Sequence, residues 1–395
     1  MKKIFSILIP IVFAIVFTIV IDKSLDKKID TLCKTKDISL VGKAYGDAVK
    51  DKSAIIKDLL SAKGDLFLIG SSELGIDVAQ NPMNLFPIKG GGYDVSCFGR
   101  PYTQDLQQAT YLGSGNLQAN QKVAFISSIQ WFEDENAIAP CNFAVNFSDI
   151  QFYKFLKNPK ISDENKQYYA GRISTLLTKA KKNPAEAFYA KLYYNPTPTK
   201  KVLKLIFEPY YKTKQYLLNI KDKALIYKKL KSLPDGTPPN GYTIDWAAES
   251  AKAQDEINKT VSTNEFHISD KWYNKNLKKE LDNLKLQSKD EDPVNSKEID
   301  DYKFFLSVCK ELNIKPYVII MPVNGWFYDY TGLTKDKRYQ FYDKVKELAE
   351  SYNLEVLDLR EHEYEKGFLI DPKHLGKTGW LKVSENIFNY FNKKQ

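Results

Sequence analysis

Apolar positions along the chain fall into three rhythms, and each predicts a different element. Residues 4–21 (IFSILIPIVFAIVFTIVI) carry no charge, and only Ser6, Pro10 and Thr18 interrupt the run. A helix of that length reaches about 27 Å, near the hydrocarbon thickness of a bilayer. A cleavable signal has a shorter apolar core and a small-residue cleavage site, whereas here Asp22, Lys23, Asp26, Lys27 and Lys28 follow directly. The pattern predicts an uncleaved transmembrane anchor. Lysines flank both ends, so the positive-inside rule does not orient it. The bulk of the chain after a short amino terminus argues for a body outside the cytoplasm.

The second rhythm is a set of short runs rich in Val, Ile and Phe at 65–70, 93–98, 122–127, 316–321 and 354–358. Unbroken apolar runs of this length read as parallel strands buried on both faces. The third rhythm is helical, at 104–112, 296–312, 335–352 and 376–392. Strand alternating with helix predicts an α/β fold with a doubly wound parallel sheet of about five strands. Between the third and fourth strands lie roughly 150 residues, far more than a crossover helix needs. A large, mostly helical insertion is expected there, broken at Pro184, at the NPTPT of 195–199 and at the PDGTPPNG of 234–241. The expected organisation is a short tail at 1–3, an anchor at 4–22, a membrane-proximal linker and helix at 23–60, a sheet domain from 61–145 and 296–395, and the insertion at 146–295.

Composition sharpens this picture in two places. The net charge is +9, and residues 151–250 alone hold 19 Lys and Arg against 8 Asp and Glu, so the basicity is local. Eleven tyrosines share that window. It reads either as a solvated lysine face over a tyrosine-lined helical core, or as a surface for a phosphate-bearing polymer or an anionic membrane. An external, anchored body speaks against nucleic acid as the partner. The four cysteines (Cys33, Cys97, Cys141, Cys309) have neither disulfide-framework nor metal spacing, and pairing of Cys97 with Cys141 stays open. With only His267, His362 and His374, three-histidine zinc sites and HExxH peptidases drop out. No metal and no cofactor is expected.

Candidate chemistry sits at the two ends of the sheet domain. The first strand runs into Gly70-Ser71-Ser72-Glu73-Leu74, where ligands of doubly wound sheets bind, although a serine there also serves as a helix cap. Near the carboxyl terminus, Asp371-Pro372-Lys373-His374-Leu375-Gly376 places a carboxylate three residues before an imidazole. Asp371 can hold one ring nitrogen of His374 and leave the other free to take a hydroxyl proton, or merely cap the last helix. Together these are the parts of a serine hydrolase or acyltransferase. His362 is the fallback base. Asn324 and Asp329 line the site or shape a loop, and Trp131, Trp326 and Trp380 pack beneath it or line a groove. Gly376-Lys377-Thr378 lacks the first glycine of a P-loop, and Gly90-Gly91-Gly92 lacks the last glycine of a dinucleotide fingerprint.

The combination resembles the SGNH (GDSL-like) hydrolase superfamily, with Ser71 where Asp usually stands and Ser72 matching the nucleophile. More specifically, the chain resembles the DltD family of D-alanyl-lipoteichoic acid biosynthesis proteins. The features run in order: an amino-terminal anchor, GSSEL at 70–74, Ser128-Ile129-Gln130-Trp131-Phe132 after the third strand, MPVNGWFYDYTG at 321–332, and D-x-x-H-L-G-x-x-G-W at 371–380. This resemblance implies D-alanyl ester transfer onto lipoteichoic acid at the outer face of the cell membrane. Ser72 would be the nucleophile, His374 the base and then acid, and Asp371 the residue that orients it. It also implies oxyanion donors at Gly99 and, in place of the usual Asn, Gln130, and a multi-pass membrane acyltransferase partner (DltB-like). The rivals are an esterase or thioesterase on an acylated carrier or cell-wall polymer, and a non-catalytic scaffold that binds teichoic acid.

Overall fold

The computed structural model describes residues 2–236 and 241–393, with the side chains of residues 2–8 and 11 outside the described set. Five strands, β1 (Leu66–Ile69), β2 (Val95–Phe98), β3 (Val123–Ser127), β4 (Tyr317–Ile320) and β5 (Val356–Asp358), form one sheet in the order β2-β1-β3-β4-β5. All pairings are parallel, with Phe67 opposite Ser96 and Val123, and Phe125 opposite Val318. Each strand lies within an apolar run predicted from sequence. The first four are buried throughout, which is why they show no polar alternation.

Within those runs, successive side chains feed opposite layers. Phe67, Ile69, Phe98, Phe125, Val318 and Ile320 enter one core. Leu66, Leu68, Val95, Cys97, Ile126 and Ile319 enter the other. The final helix (Lys377–Lys393) closes the second core with Trp380, Val383 and Ile387. On the first face, helix Glu298–Glu311 packs with helices Asp149–Lys157 and Asp163–Ala180 of the expected insertion, whose Phe155, Tyr169 and Ile173 join the same core. The sheet and the first helices after β3 therefore share one continuous apolar layer.

The predicted breakers act as helix starts. Pro184 and Pro198 sit in the first turns of helices Pro184–Tyr193 and Pro198–Lys231, where the missing N–H costs no hydrogen bond. Thr197 caps the second of these on the Lys200 N–H. The break at 234–241 falls partly on residues 237–240, outside the described set. The tyrosines do line a core: Tyr153, Tyr169 and Tyr211 are buried, while Lys157, Lys181, Lys201 and Lys228 are exposed and Lys166 is buried. All four cysteines are free, Cys97 buried and Cys141 exposed.

A single helix, Lys2–Thr35, contains the long apolar run and continues through its charged flank. The predicted span at 4–22 includes side chains outside the described set. Among the described residues no helix is long and apolar enough to cross a membrane. Beyond the run, Leu25 and Ile29 are buried, and Lys223 of helix Pro198–Lys231 pairs with Asp22 and Asp26 at 2.6 and 2.7 Å.

Candidate active site

The sheet's topology brings the candidate residues together. In the order 2-1-3-4-5 the chain reverses its direction of growth between β1 and β3, and a crevice opens at the carboxyl ends of those strands. Ser72 leaves β1 at that point and starts a short 3-10 turn, Ser72–Gly75. Its Oγ lies 3.0 Å from His374 Nε2, across 302 residues of sequence.

Asp371 holds His374 from the other side. Its Oδ2 is 2.8 Å from His374 Nδ1, and its Oδ1 accepts the backbone N–H groups of Lys373 and His374, each at 2.9 Å. The orienting contact is present, while the second carboxylate oxygen holds the turn at Lys373 and His374 and does not cap the final helix, which starts only at Lys377. With Nδ1–H donated to Asp371, Nε2 is the acceptor facing the serine hydroxyl. The pair is largely buried, with side-chain exposures of 20% for His374 and 8% for Asp371. Burial disfavours the imidazolium, but the Asp371 hydrogen bond and charge, with Glu73 adding, outweigh it and raise the His374 pKa above its ordinary value.

Glu73 is the residue that reading the sequence for chemistry missed. It is fully buried, and its carboxylate gathers donors from both strands of the crevice. Ser71 N–H reaches Oε2 at 2.9 Å, Trp131 Nε1 reaches Oε1 at 3.1 Å, and the Gln130 amide also donates to Oε1. The signal was present in two motifs: a glutamate directly after the serine, and two side-chain N–H donors in the block after β3. Trp131 is thus both core and brace. Gln130 is at the site, with one of its two amide hydrogens committed to Glu73.

Gly99 stands where β2 passes the end of β1. Its φ is +155°, and a Cβ there would lie 2.2 Å from the Gly70 carbonyl oxygen, so no side chain fits. Buried Gln108 donates to that same carbonyl at 3.2 Å. Ser71 turns away from the crevice: its Oγ donates to Arg100 O and accepts from Thr103 N–H.

The other candidates are structural at this distance. Asn324 is buried, caps helix Gly325–Thr331 through the Phe327 N–H and donates to Phe266 O. Its backbone N–H also supports the Pro372 carbonyl. Asp329 pairs with Arg338, whose buried guanidinium also bridges Glu363. Trp380 is buried beneath the final turn, and Trp326 packs against His267 and Tyr364. His362 stacks on Phe368 and binds Glu365 through Nδ1 at 2.6 Å. At the rim, Lys373 reaches Glu133 at 3.1 Å, and Glu133 accepts the Tyr328 hydroxyl at 2.6 Å. Among the described residues no cluster of acids, histidines and cysteines is arranged to hold a metal.

A serine hydroxyl facing one nitrogen of an imidazole whose other nitrogen is held by a carboxylate, in a partly buried crevice, is an arrangement that can do nucleophilic acyl-transfer chemistry. The family model described as "DltD protein" matches residues 42–392. Protein DltD of Bacillus subtilis (strain 168) is 28% identical over 339 residues, covering 82% of this chain and 81% of that protein. Protein DltD of Staphylococcus aureus (strain NCTC 8325 / PS 47) is 26% identical over 338 residues, covering 85% and 83%. The Lacticaseibacillus rhamnosus protein DltD is 23% identical over 353 residues, covering 85% and 79%.

Proposed function

Since the chain belongs to the DltD family, we propose that it serves teichoic acid D-alanylation as a membrane-anchored, extracytoplasmic acyltransferase acting through Ser72. The observation that carries this reading is the 3.0 Å approach of Ser72 Oγ to His374 Nε2, with Nδ1 held by Asp371. The Ser72 oxygen attacks the carbonyl carbon of a D-alanyl ester or thioester as its proton passes to Nε2. The donor's oxygen or sulfur then leaves with that proton. In the second half a polymer hydroxyl gives its proton to Nε2 and attacks the acyl-serine, and as the new ester forms the Ser72 oxygen leaves with that proton from Nε2. The Gly99 N–H and the second Gln130 amide hydrogen are the proposed donors to the oxyanion.

Lipoteichoic acid or another anionic surface polymer is the acceptor, and the lysine-rich stretch after β3 attracts it. The anchor is supported by the open apolar surface of the first helix, where Ile9, Phe13, Val16 and Val20 are exposed and want lipid around them. A multi-pass membrane acyltransferase is the proposed partner.

The test is to incubate the full chain with a D-alanylated donor and look by mass spectrometry for an alanyl adduct on the Ser72 peptide. The reading expects the adduct in the wild type and its absence in Ser72→Ala. Adduct formation that persists in Ser72→Ala overturns it. Release of free alanine with the polymer hydroxyls untouched would make the protein an esterase on the same triad.

A further inference from the structure

The chain has four arginines, and three are paired with carboxylates: Arg172 with Asp301, Arg338 with Glu363 and Asp329, and Arg360 with Asp358 and Asp343. Arg100 is the exception, with no ion pair among the described residues. Neutral acceptors hold its guanidinium instead. Nε donates to Asn146 Oδ1 at 3.1 Å, and Nη2 donates to the same oxygen at 2.5 Å and to Val145 O at 3.2 Å. Asn146 is buried and donates its own amide to Pro101 O at 2.8 Å, so its whole side chain is devoted to this loop. The Nη1 end of the fork has no partner among the described residues. A guanidinium fixed by uncharged groups and open at one end keeps its charge for an anion.

Nearby charges do not answer it. Asp51 feels the Arg100 charge but is already buried against Lys50 at 3.4 Å. Half-buried Lys52 adds to the surplus: burial and then Arg100 lower its pKa, Lys221 acts the same way, and Asp149 opposes them.

The backbone ties this arginine to the catalytic serine. Arg100 directly follows Gly99, its carbonyl accepts the Ser71 hydroxyl at 3.1 Å, and Thr103 N–H donates to that hydroxyl at 3.2 Å. Tyr45 packs its ring on Gly75, at the end of the turn that Ser72 begins. Burial raises the Tyr45 pKa, Glu73 adds to the rise and Arg100 opposes it, so one hydroxyl senses the crevice carboxylate and the guanidinium together. The same four residues form a turn closed by Thr103 N–H on Arg100 O at 3.0 Å. Its third residue, Tyr102, has φ +66°, where a turn with proline second favours glycine. A glycine would sit there without strain, and the Tyr102 ring, 57% exposed, does not serve the core.

We propose that the loop Arg100-Pro101-Tyr102-Thr103 is the acceptor subsite of the crevice. Arg100 takes a phosphodiester of the anionic polymer through Nη1, and the Tyr102 ring covers the carbon chain beside it. A hydroxyl a few bonds from that phosphate is then presented to the acyl-serine, because fixing the anion limits where the hydroxyl can go. The proposal rests on the acyl-transfer reading above and names the residues that choose its acceptor. The lysine-rich stretch gathers the polymer, and this loop sets its register.

The experiment titrates the full Ser72→Ala chain in neutral detergent with a short glycerophosphate oligomer, inorganic phosphate and dihexanoyl phosphatidylglycerol, read by calorimetry. The oligomer should bind about tenfold more tightly than either small anion. Arg100→Gln, which keeps an amide donor for Asn146, should weaken oligomer binding about tenfold, Arg100→Lys should weaken it less, and the difference should shrink as salt is raised. Tyr102→Gly should unfold at the same or a higher temperature and still bind about threefold more weakly. Unchanged oligomer binding in both Arg100→Gln and Tyr102→Gly overturns the proposal. So does inorganic phosphate or the lipid binding as tightly as the oligomer, which would make the loop a general anion or headgroup site. In the chain that retains Ser72, the Arg100→Gln loss should fall on KM for the oligomer and not on kcat. A loss in kcat alone would make Arg100 a brace and also overturns the proposal. Binding to a chain without its nucleophile needs no acyl transfer, so failure of the subsite and failure of the Ser72 adduct are separate results.

Discussion

Ser71, Glu73 and His374 beside Ser72 are tied to named partners inside a packed crevice, whereas along helix Pro198–Lys231 apolar side chains lie open to solvent beside exposed lysines. The two regions follow opposite rules. At the sheet edge a fully buried carboxylate, Glu73, is supported by three donors, and Gly99 leaves no room for even one extra carbon. There, geometry and stability are the same contacts, because an unpaired polar group in that setting is expensive. On the long helix Leu205 and Ile206 contribute little to the fold, since most of their surface is already in water.

The largest expected effect that would sharpen this contrast is at the nucleophile. Ser72→Ala should lower D-alanyl transfer by about a thousandfold or more while leaving thermal unfolding within a degree or two of the wild type. Turnover at the wild-type rate would break the assignment.

Glu73→Gln comes next, and it has a signature a purely structural role lacks. The Glu73 charge helps to raise the His374 pKa, and transfer requires neutral His374. In the wild type the acid limb of the pH–rate profile should therefore have its midpoint above the ordinary imidazole value of about 6.5. In Glu73→Gln less charge favours the imidazolium, so the midpoint should move to lower pH. The substitution also sets an amide against a donor, with a stability loss of about 1–3 kcal/mol. An unmoved midpoint in an otherwise folded variant would confine Glu73 to bracing.

Gly99→Ala should destabilise by about 1–3 kcal/mol through the clash with the Gly70 carbonyl and the left-handed backbone. Unfolding in denaturant measures it, and a neutral result would mean the crevice is softer than it looks. Smallest of all, Ile206→Ser on the long helix should change stability by no more than about 0.5 kcal/mol. A loss of several kcal/mol there would show that side chain to be core and erase the contrast.

How much could be read without coordinates differed between the two regions in the same physical way. The five strands lie inside the apolar runs because a parallel strand covered on both faces, as the first four are, is mostly apolar along its length. The helices Asp105–Gly113, Glu298–Glu311, Lys335–Ser351 and Lys377–Lys393 lie within a residue or two of their periodic stretches. Asp371 and His374 were legible as a pair because three residues across a tight turn bring a carboxylate to an imidazole. Ser72 was legible through its place after β1. The Glu73 network was not, since its donors Gln130 and Trp131 come from the next strand over, and nothing local states that β1 and β3 are neighbours.

Local rules acting over a few residues, namely apolar runs, helical periods, proline starts and the Asp371–His374 turn, were determined by the sequence on its own. Only the tertiary structure decided what meets across long separations. It placed Ser72 against His374 over 302 residues, and it set helix Pro198–Lys231 parallel to the first helix through Lys223 and Asp22. Such contacts depend on strand order and helix direction, which arise when separate apolar faces find one shared core, and that choice is made by the whole chain at once.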